Sequence, residues 1–155
     1  YSTPLAATSE KAPARWKYRT MDAAATPPAG WQAEGFDDAV WQETAAPLTA
    51  PARGKTGPDQ QWDKPLLLMR RSFDVKDAGL DALRIKAKVS DEADIYLNGR
   101  HVARILPQRR SGDGYTDFDI SPAGLGALKK GRNVLAVKAT RSGGYVDIGL
   151  LGIKR

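Results

Sequence analysis

The sequence predicts an all-β fold, an antiparallel β-sandwich of one domain, and three observations carry that reading. From Leu66 onward, apolar residues alternate with polar ones or gather in short runs, which is the patterning of strands. An Asn98-Gly99 pair stands between two of those runs, a strong hairpin signal because both turn positions tolerate positive φ. Glycine and proline cut the chain into pieces too short for alternating strands and helices, and no long segment keeps a helical period.

At 155 residues the chain has the size of one domain and can bury a core without covalent staples. Its first 65 residues carry eight of the ten prolines, with Trp16, Trp31, Trp41 and Trp62 spaced among alanine-rich turns. Clusters such as Thr26-Pro27-Pro28-Ala29-Gly30 and Ala45-Ala46-Pro47 stop helices. Large aromatics recurring through such a stretch mark packing rather than a free linker. Residues 1–30 are therefore expected to be an irregular segment pinned against the sandwich, which itself spans 31–155.

Leu66-Leu67-Leu68-Met69-Arg70-Arg71-Ser72-Phe73 opens the regular part as an apolar run that turns polar. Leu83, Ile85, Ala87 and Val89 then alternate with Arg84, Lys86 and Lys88, as in a strand with one buried face. Ala93-Asp94-Ile95-Tyr96-Leu97 leads into the Asn98-Gly99 turn, and residues 101–106 return. Tyr115-Thr116-Asp117-Phe118-Asp119-Ile120 is a further short strand, followed by Ser121-Pro122 and a short helical turn reaching Leu128. Lys129-Lys130-Gly131 turns the chain into Asn133-Val134-Leu135-Ala136-Val137-Lys138. The last strand covers 145–153, with Val146, Ile148 and Leu150 on one face.

Composition removes several chemistries. With no cysteine there is no disulfide, no thiolate-bound metal and no cysteine nucleophile; the absence fits a bacterial exported protein. The single histidine, His101, leaves little room for a zinc site or a serine–histidine pair. No apolar run approaches the roughly 20 residues of a membrane-spanning helix. Tyr1-Ser2-Thr3-Pro4 has neither an initiator methionine nor an apolar leader core, which suggests a mature or trimmed chain. The net charge of +6 is spread along the chain, with one concentration at Arg100, Arg104, Arg109 and Arg110. A nucleic-acid surface would show a denser stripe with interleaved aromatics. The charge therefore reads as a solvated surface, with acidic ligands as the other reading.

Three segments in order carry a resemblance. They are Asp94-Ile95-Tyr96-Leu97-Asn98-Gly99, then Gly114-Tyr115-Thr116-Asp117-Phe118-Asp119-Ile120, then Leu128-Lys129-Lys130-Gly131-Arg132-Asn133-Val134-Leu135-Ala136-Val137. Together they resemble the sugar-binding domain of family 2 glycoside hydrolases. Upstream, Gly30-Trp31, Phe36-Asp37-Asp38-Ala39-Val40-Trp41 and Leu68-Met69-Arg70-Arg71-Ser72-Phe73 are similar to the opening strands of that domain. The closing Val146-Asp147-Ile148-Gly149-Leu150 is similar to the ends of related galactose-binding-like domains. The resemblance runs from about Trp31 to the C-terminus. It implies a galactose-binding-like jelly roll and an accessory place in a multidomain glycan-active enzyme. It also implies that the catalytic acids lie in a separate barrel domain.

Candidate sites each have two readings. Trp31 and Trp41 are either sugar platforms or, the favoured reading, anchors of the edge segment. Trp62, within Asp59-Gln60-Gln61-Trp62-Asp63-Lys64-Pro65, has the composition of a sugar subsite, an apolar plate among oriented polar groups; the other reading tucks it against the sandwich. Arg109, Arg110 and Tyr115 on one loop, and Arg141 and Tyr145 on another, suit ligand hydroxyls or a uronate carboxylate, or else belong to solvated turns. Asp91-Glu92-Ala93-Asp94 admits a structural calcium, though acids at a strand-end turn explain it as well. No pair of carboxylates stands out as the two that glycoside hydrolysis needs.

The expected function is a non-catalytic carbohydrate-binding or accessory module of a larger exported bacterial glycoside hydrolase. Its expected partners are an oligo- or polysaccharide and a neighbouring catalytic domain, with no nucleic acid, no membrane span and no cofactor. The rival expectation is a structural or protein-interaction sandwich that braces a catalytic domain and has no sugar site. Its signature would be Trp62 buried against the chain and an apolar patch on one face.

Overall fold

The computed structural model describes residues 2–49, 62, 64–106, 114–140 and 145–155. Among these residues the strands form two antiparallel sheets. The first sheet runs, edge to edge, through β1 (Ser2–Ala6), β11 (Tyr145–Ile153), β6 (Ala82–Val89) and β9 (Thr116–Asp119), with β4 (Leu48–Thr49) beside one end of β11. The second runs through β3 (Gln42–Ala45), β2 (Arg15–Met21), β5 (Leu66–Val75), β10 (Gly131–Thr140), β7 (Ala93–Leu97) and β8 (Arg100–Ile105). The chain changes sheet at every connection between consecutive strands except β2–β3 and β7–β8, as a jelly roll does. A helical turn, α1 (Pro122–Leu125), follows β9; Ser121 caps it by accepting the Gly124 N–H at 3.2 Å.

The core lies between the sheets and follows the alternation in the sequence. Leu83, Ile85, Ala87 and Val89 of β6 are all buried there, as are Val146, Ile148 and Leu150 of β11. Residues 1–30 depart from expectation. They supply β1 to the first sheet and β2 to the second, and Trp16 and Tyr18 of β2 enter the main core. A proline-rich composition hid them because proline is tolerated on an edge strand, and Pro4 lies in the edge strand β1.

In the middle of the second sheet, β5 and β10 are buried on both faces. Residues 22–41 explain this: Trp31 and Trp41 pack on Leu68 and Ala136 in a second apolar cluster outside the sheet. Both tryptophans are thus anchors. Arg70 ties the same segment down, and its guanidinium is buried beneath it.

The Asn98-Gly99 turn adopts φ of 51° and 87°, the double positive φ of a type I′ hairpin between β7 and β8. Its amide does more than turn the chain. Asn98 Oδ1 accepts the Val134 N–H at 2.8 Å, and its Nδ2 donates to Ala127 O and to Asn133 Oδ1, each at 2.8 Å. Asn133, fully buried, in turn donates to the carbonyls of Lys129 and Gly131. Two side-chain amides therefore clamp the hairpin to the start of β10.

Candidate binding face

The outer face of the first sheet collects the chain's clearest polar and aromatic cluster. Register sets its pattern: on β6 and β11, Lys88 stands opposite Asp147, Lys86 opposite Gly149 and Arg84 opposite Leu151. Their neighbours along each strand fill the core, so these side chains point outward. Tyr115 leads into β9 on the far side of β6, and Tyr145 begins β11.

The ammonium groups of Lys86 and Lys88 lie 5.6 and 5.7 Å from the Tyr115 ring centroid. Lys88 also lies 5.0 Å from the centre of the Tyr145 ring. Two aromatic rings thus hold one ammonium between them, within cation–π range. Lys86 pairs with Glu10 at 2.8 Å, and Glu10 accepts the Thr8 hydroxyl at 2.7 Å.

Below this layer sits a buried carboxylate. Asp147 accepts the Tyr115 hydroxyl at 2.5 Å and the Ser9 N–H at 3.2 and 3.0 Å to its two oxygens. The segment after β1 can cross this close because residue 149 is glycine: a Cβ there would lie 2.8 Å from Thr8 Cγ2 and 3.0 Å from Ala6 O. Beside the crossing, Pro4, Ala6, Gly149 and Leu151 floor an open cleft rimmed by Glu10, Lys11 and Lys86.

Burial pushes the Asp147 carboxyl above its ordinary value near 3.8; the Tyr115 and Ser9 hydrogen bonds oppose that, Glu10 adds to it, and Arg71 opposes it. The folded protein therefore holds this proton to higher pH than the unfolded chain, and the contribution of Asp147 to stability falls as pH rises above 3.8. The stability of the wild type minus that of Asp147→Asn should decline in denaturation series run upward from pH 4 and level off once the folded carboxyl has ionised. A difference that stays flat or grows would show that hydrogen bonding outweighs desolvation at this carboxylate.

Of the residues singled out in the sequence, Tyr115 and Tyr145 meet here across Lys88. Trp62 does not join them. It is 0% exposed in the main core, its backbone N–H donating to Thr49 O at 3.2 Å, so the expected sugar platform is an internal packing group. Its polar sequence neighbours described local composition, whereas its own indole turns inward. Arg109, Arg110 and Arg141 lie outside the described residues. In the acidic turn, Asp94 meets His101 at 2.9 Å and Glu92 meets Arg104 at 3.4 Å, both across the β7–β8 hairpin. Among the described residues no three acidic, histidine or cysteine side chains group to hold a metal ion.

Sequence reading missed Lys86, Lys88 and Asp147 as site residues. The lysines were visible only as the polar half of an alternating strand. Asp147 had a clearer signal, a carboxylate inside an otherwise apolar terminal strand.

No protein-family model matches the chain, and no curated protein matches it in sequence. Solved structures do match in fold. A β-glucuronidase from Bacteroides uniformis superposes with a TM-score of 0.65 at 19% identity, over 99% of this chain and 18% of that one. A glycosyl hydrolase family 2 member from Bacteroides cellulosilyticus gives 0.61 at 17% identity, over 96% of this chain and 20% of the other. A Bifidobacterium dentium β-glucuronidase, complexed with coumarin-3-O-glucuronide, gives 0.60 at 20% identity, over 90% and 20%. The chain thus spans about a fifth of the length of these hydrolases, and its fold resembles one domain within them.

Proposed function

We propose that the chain is a non-catalytic accessory module of a larger exported glycan-degrading enzyme and binds carbohydrate weakly through the outer face of its first sheet. The observation that supports this most is the pairing of Tyr115 and Tyr145 around Lys88, beside an apolar cleft. Aromatic rings and apolar floor suit the C–H faces of a sugar, while ammonium and hydroxyl groups suit its oxygens. The near-complete overlap of the chain with a small part of family 2 hydrolases supports the accessory role. Export belongs to the same reading, since a polysaccharide does not cross a bilayer to reach its enzyme. An open site desolvates only part of its ligand, so affinity should be modest.

The burial of Trp62 favours a second reading, a sandwich that braces a catalytic domain and binds no sugar. A glycan array followed by calorimetric titration separates the two. The binding reading expects a ligand whose affinity falls at least tenfold in Tyr145→Ala with the thermal midpoint preserved. Absence of any glycan ligand would leave the bracing role. Under both readings the purified chain should release no chromophore from nitrophenyl glycosides, and turnover that copurifies with it would overturn the non-catalytic assignment.

A further inference from the structure

Resting on the sugar-binding reading above, we infer that the ligand is an acidic glycan, a uronic-acid oligosaccharide whose carboxylate is met by Lys88. Lys88 has no carboxylate within ion-pair distance among the described residues, although Asp147 stands opposite it in register. The Asp147 oxygens are buried and turned to Tyr115 and Ser9. Of the other acids on this face, Glu10 is paired with Lys86, Asp119 with Arg84, and Asp117 stands opposite Lys86 in register. The two tyrosine rings hold the Lys88 ammonium at a fixed place on the sheet, so a ligand anion meets a positioned charge rather than a free arm. From there Lys86 leads directly to the cleft floored by Gly149 and Leu151, where the apolar face of a sugar ring can rest.

The geometry favours a glycan over an acidic peptide. β6 is hydrogen-bonded to β11 on one side and β9 on the other, and β11 to β6 on one side and to β1 and β4 on the other. Beside Lys88 and Tyr145 the face therefore offers no open strand edge on which a peptide could add its backbone, the edges of the sheet being β1 and β9. What it offers is side chains alone: rings, ammoniums and an apolar floor.

The test titrates the chain with galacturonate and mannuronate tetrasaccharides, with the carboxyl-reduced counterpart of each, and with an aspartate-rich peptide. One uronic tetrasaccharide should bind at least tenfold tighter than its reduced counterpart, and that preference should weaken as salt rises. Lys88→Gln should abolish the preference while keeping the wild-type melting curve, and amide shifts should centre on Tyr145, Lys88 and Gly149. Equal binding of acidic and reduced tetrasaccharides would overturn the acidic-ligand inference while leaving the sugar-binding reading in place. Binding of the peptide alone, or of none of the probes, would overturn the acidic-glycan inference, and the sugar-binding reading falls with it only if the glycan array also finds no ligand.

Discussion

Replacing Arg70 with alanine is expected to lower the unfolding free energy by about 3–5 kcal/mol, the range for removing one partner of a buried charged network. Arg70 is 1% exposed in the centre of the second sheet. Its Nε donates to Asp38 at 2.9 Å, one terminal nitrogen donates to the carbonyls of Trp31 and Ala33 at 2.6 and 2.7 Å, and the other reaches Phe36 O at 3.3 Å. The guanidinium plane also lies 5.2 Å from the Phe36 ring centre. Alanine leaves three carbonyls and a carboxylate without their donor and opens a cavity under Trp31 and Trp41. Lysine should recover less than half of the loss, because a single ammonium cannot reproduce a planar fork that serves four acceptors. Denaturant titration followed by tryptophan emission measures both effects. A loss below about 1 kcal/mol for Arg70→Ala would mean that water replaces the guanidinium easily and that the 22–41 segment holds on by its aromatics alone.

Trp62→Ala should be of similar size, about 3–5 kcal/mol, as for other large-to-small changes in a packed core. Trp62 and Trp16 are among the largest fully buried side chains, and both belong to the cluster between the sheets. Phenylalanine at position 62 should retain most of the stability, since it keeps an aromatic of smaller volume in the same space. An independent check is quenching of the native protein by acrylamide. All four tryptophans are buried, so a neutral quencher should reach none of them efficiently. Strong quenching that Trp62→Phe removes would mean that this indole is open to solvent and would restore it as a ligand plate.

The fold was legible because its signals are local. Asn98 and Gly99 specify a turn through their own φ preferences, and Leu83, Ile85, Ala87 and Val89 specify a half-buried strand through spacing alone. The candidate site was legible only in part. Tyr115 and Tyr145 could be named from the composition of their surroundings, yet their meeting at Lys88 depends on β6 pairing with both β9 and β11. Trp62 was misjudged for the converse reason: polar neighbours mark a loop, but they do not say which way one side chain in it turns.

Arg70 and Arg71 draw the line most sharply. They are adjacent and chemically identical, and strand alternation requires only that they point to opposite faces. Arg70 goes outward, where residues 22–41 cover it completely; Arg71 shares the parity of Met69 and Phe73, reaches Ala7 O at 2.8 Å and lies 5.5 Å from the Trp16 ring. Sequence by itself determined the β-sandwich, its hairpin and the alternation of its strands, since turn chemistry and side-chain period act over a few residues. Which arginine became a structural hub, which tryptophan was buried and which lysine was left facing solvent between two rings were decided by tertiary structure. Each of those outcomes depends on what a distant segment lays over the sheet.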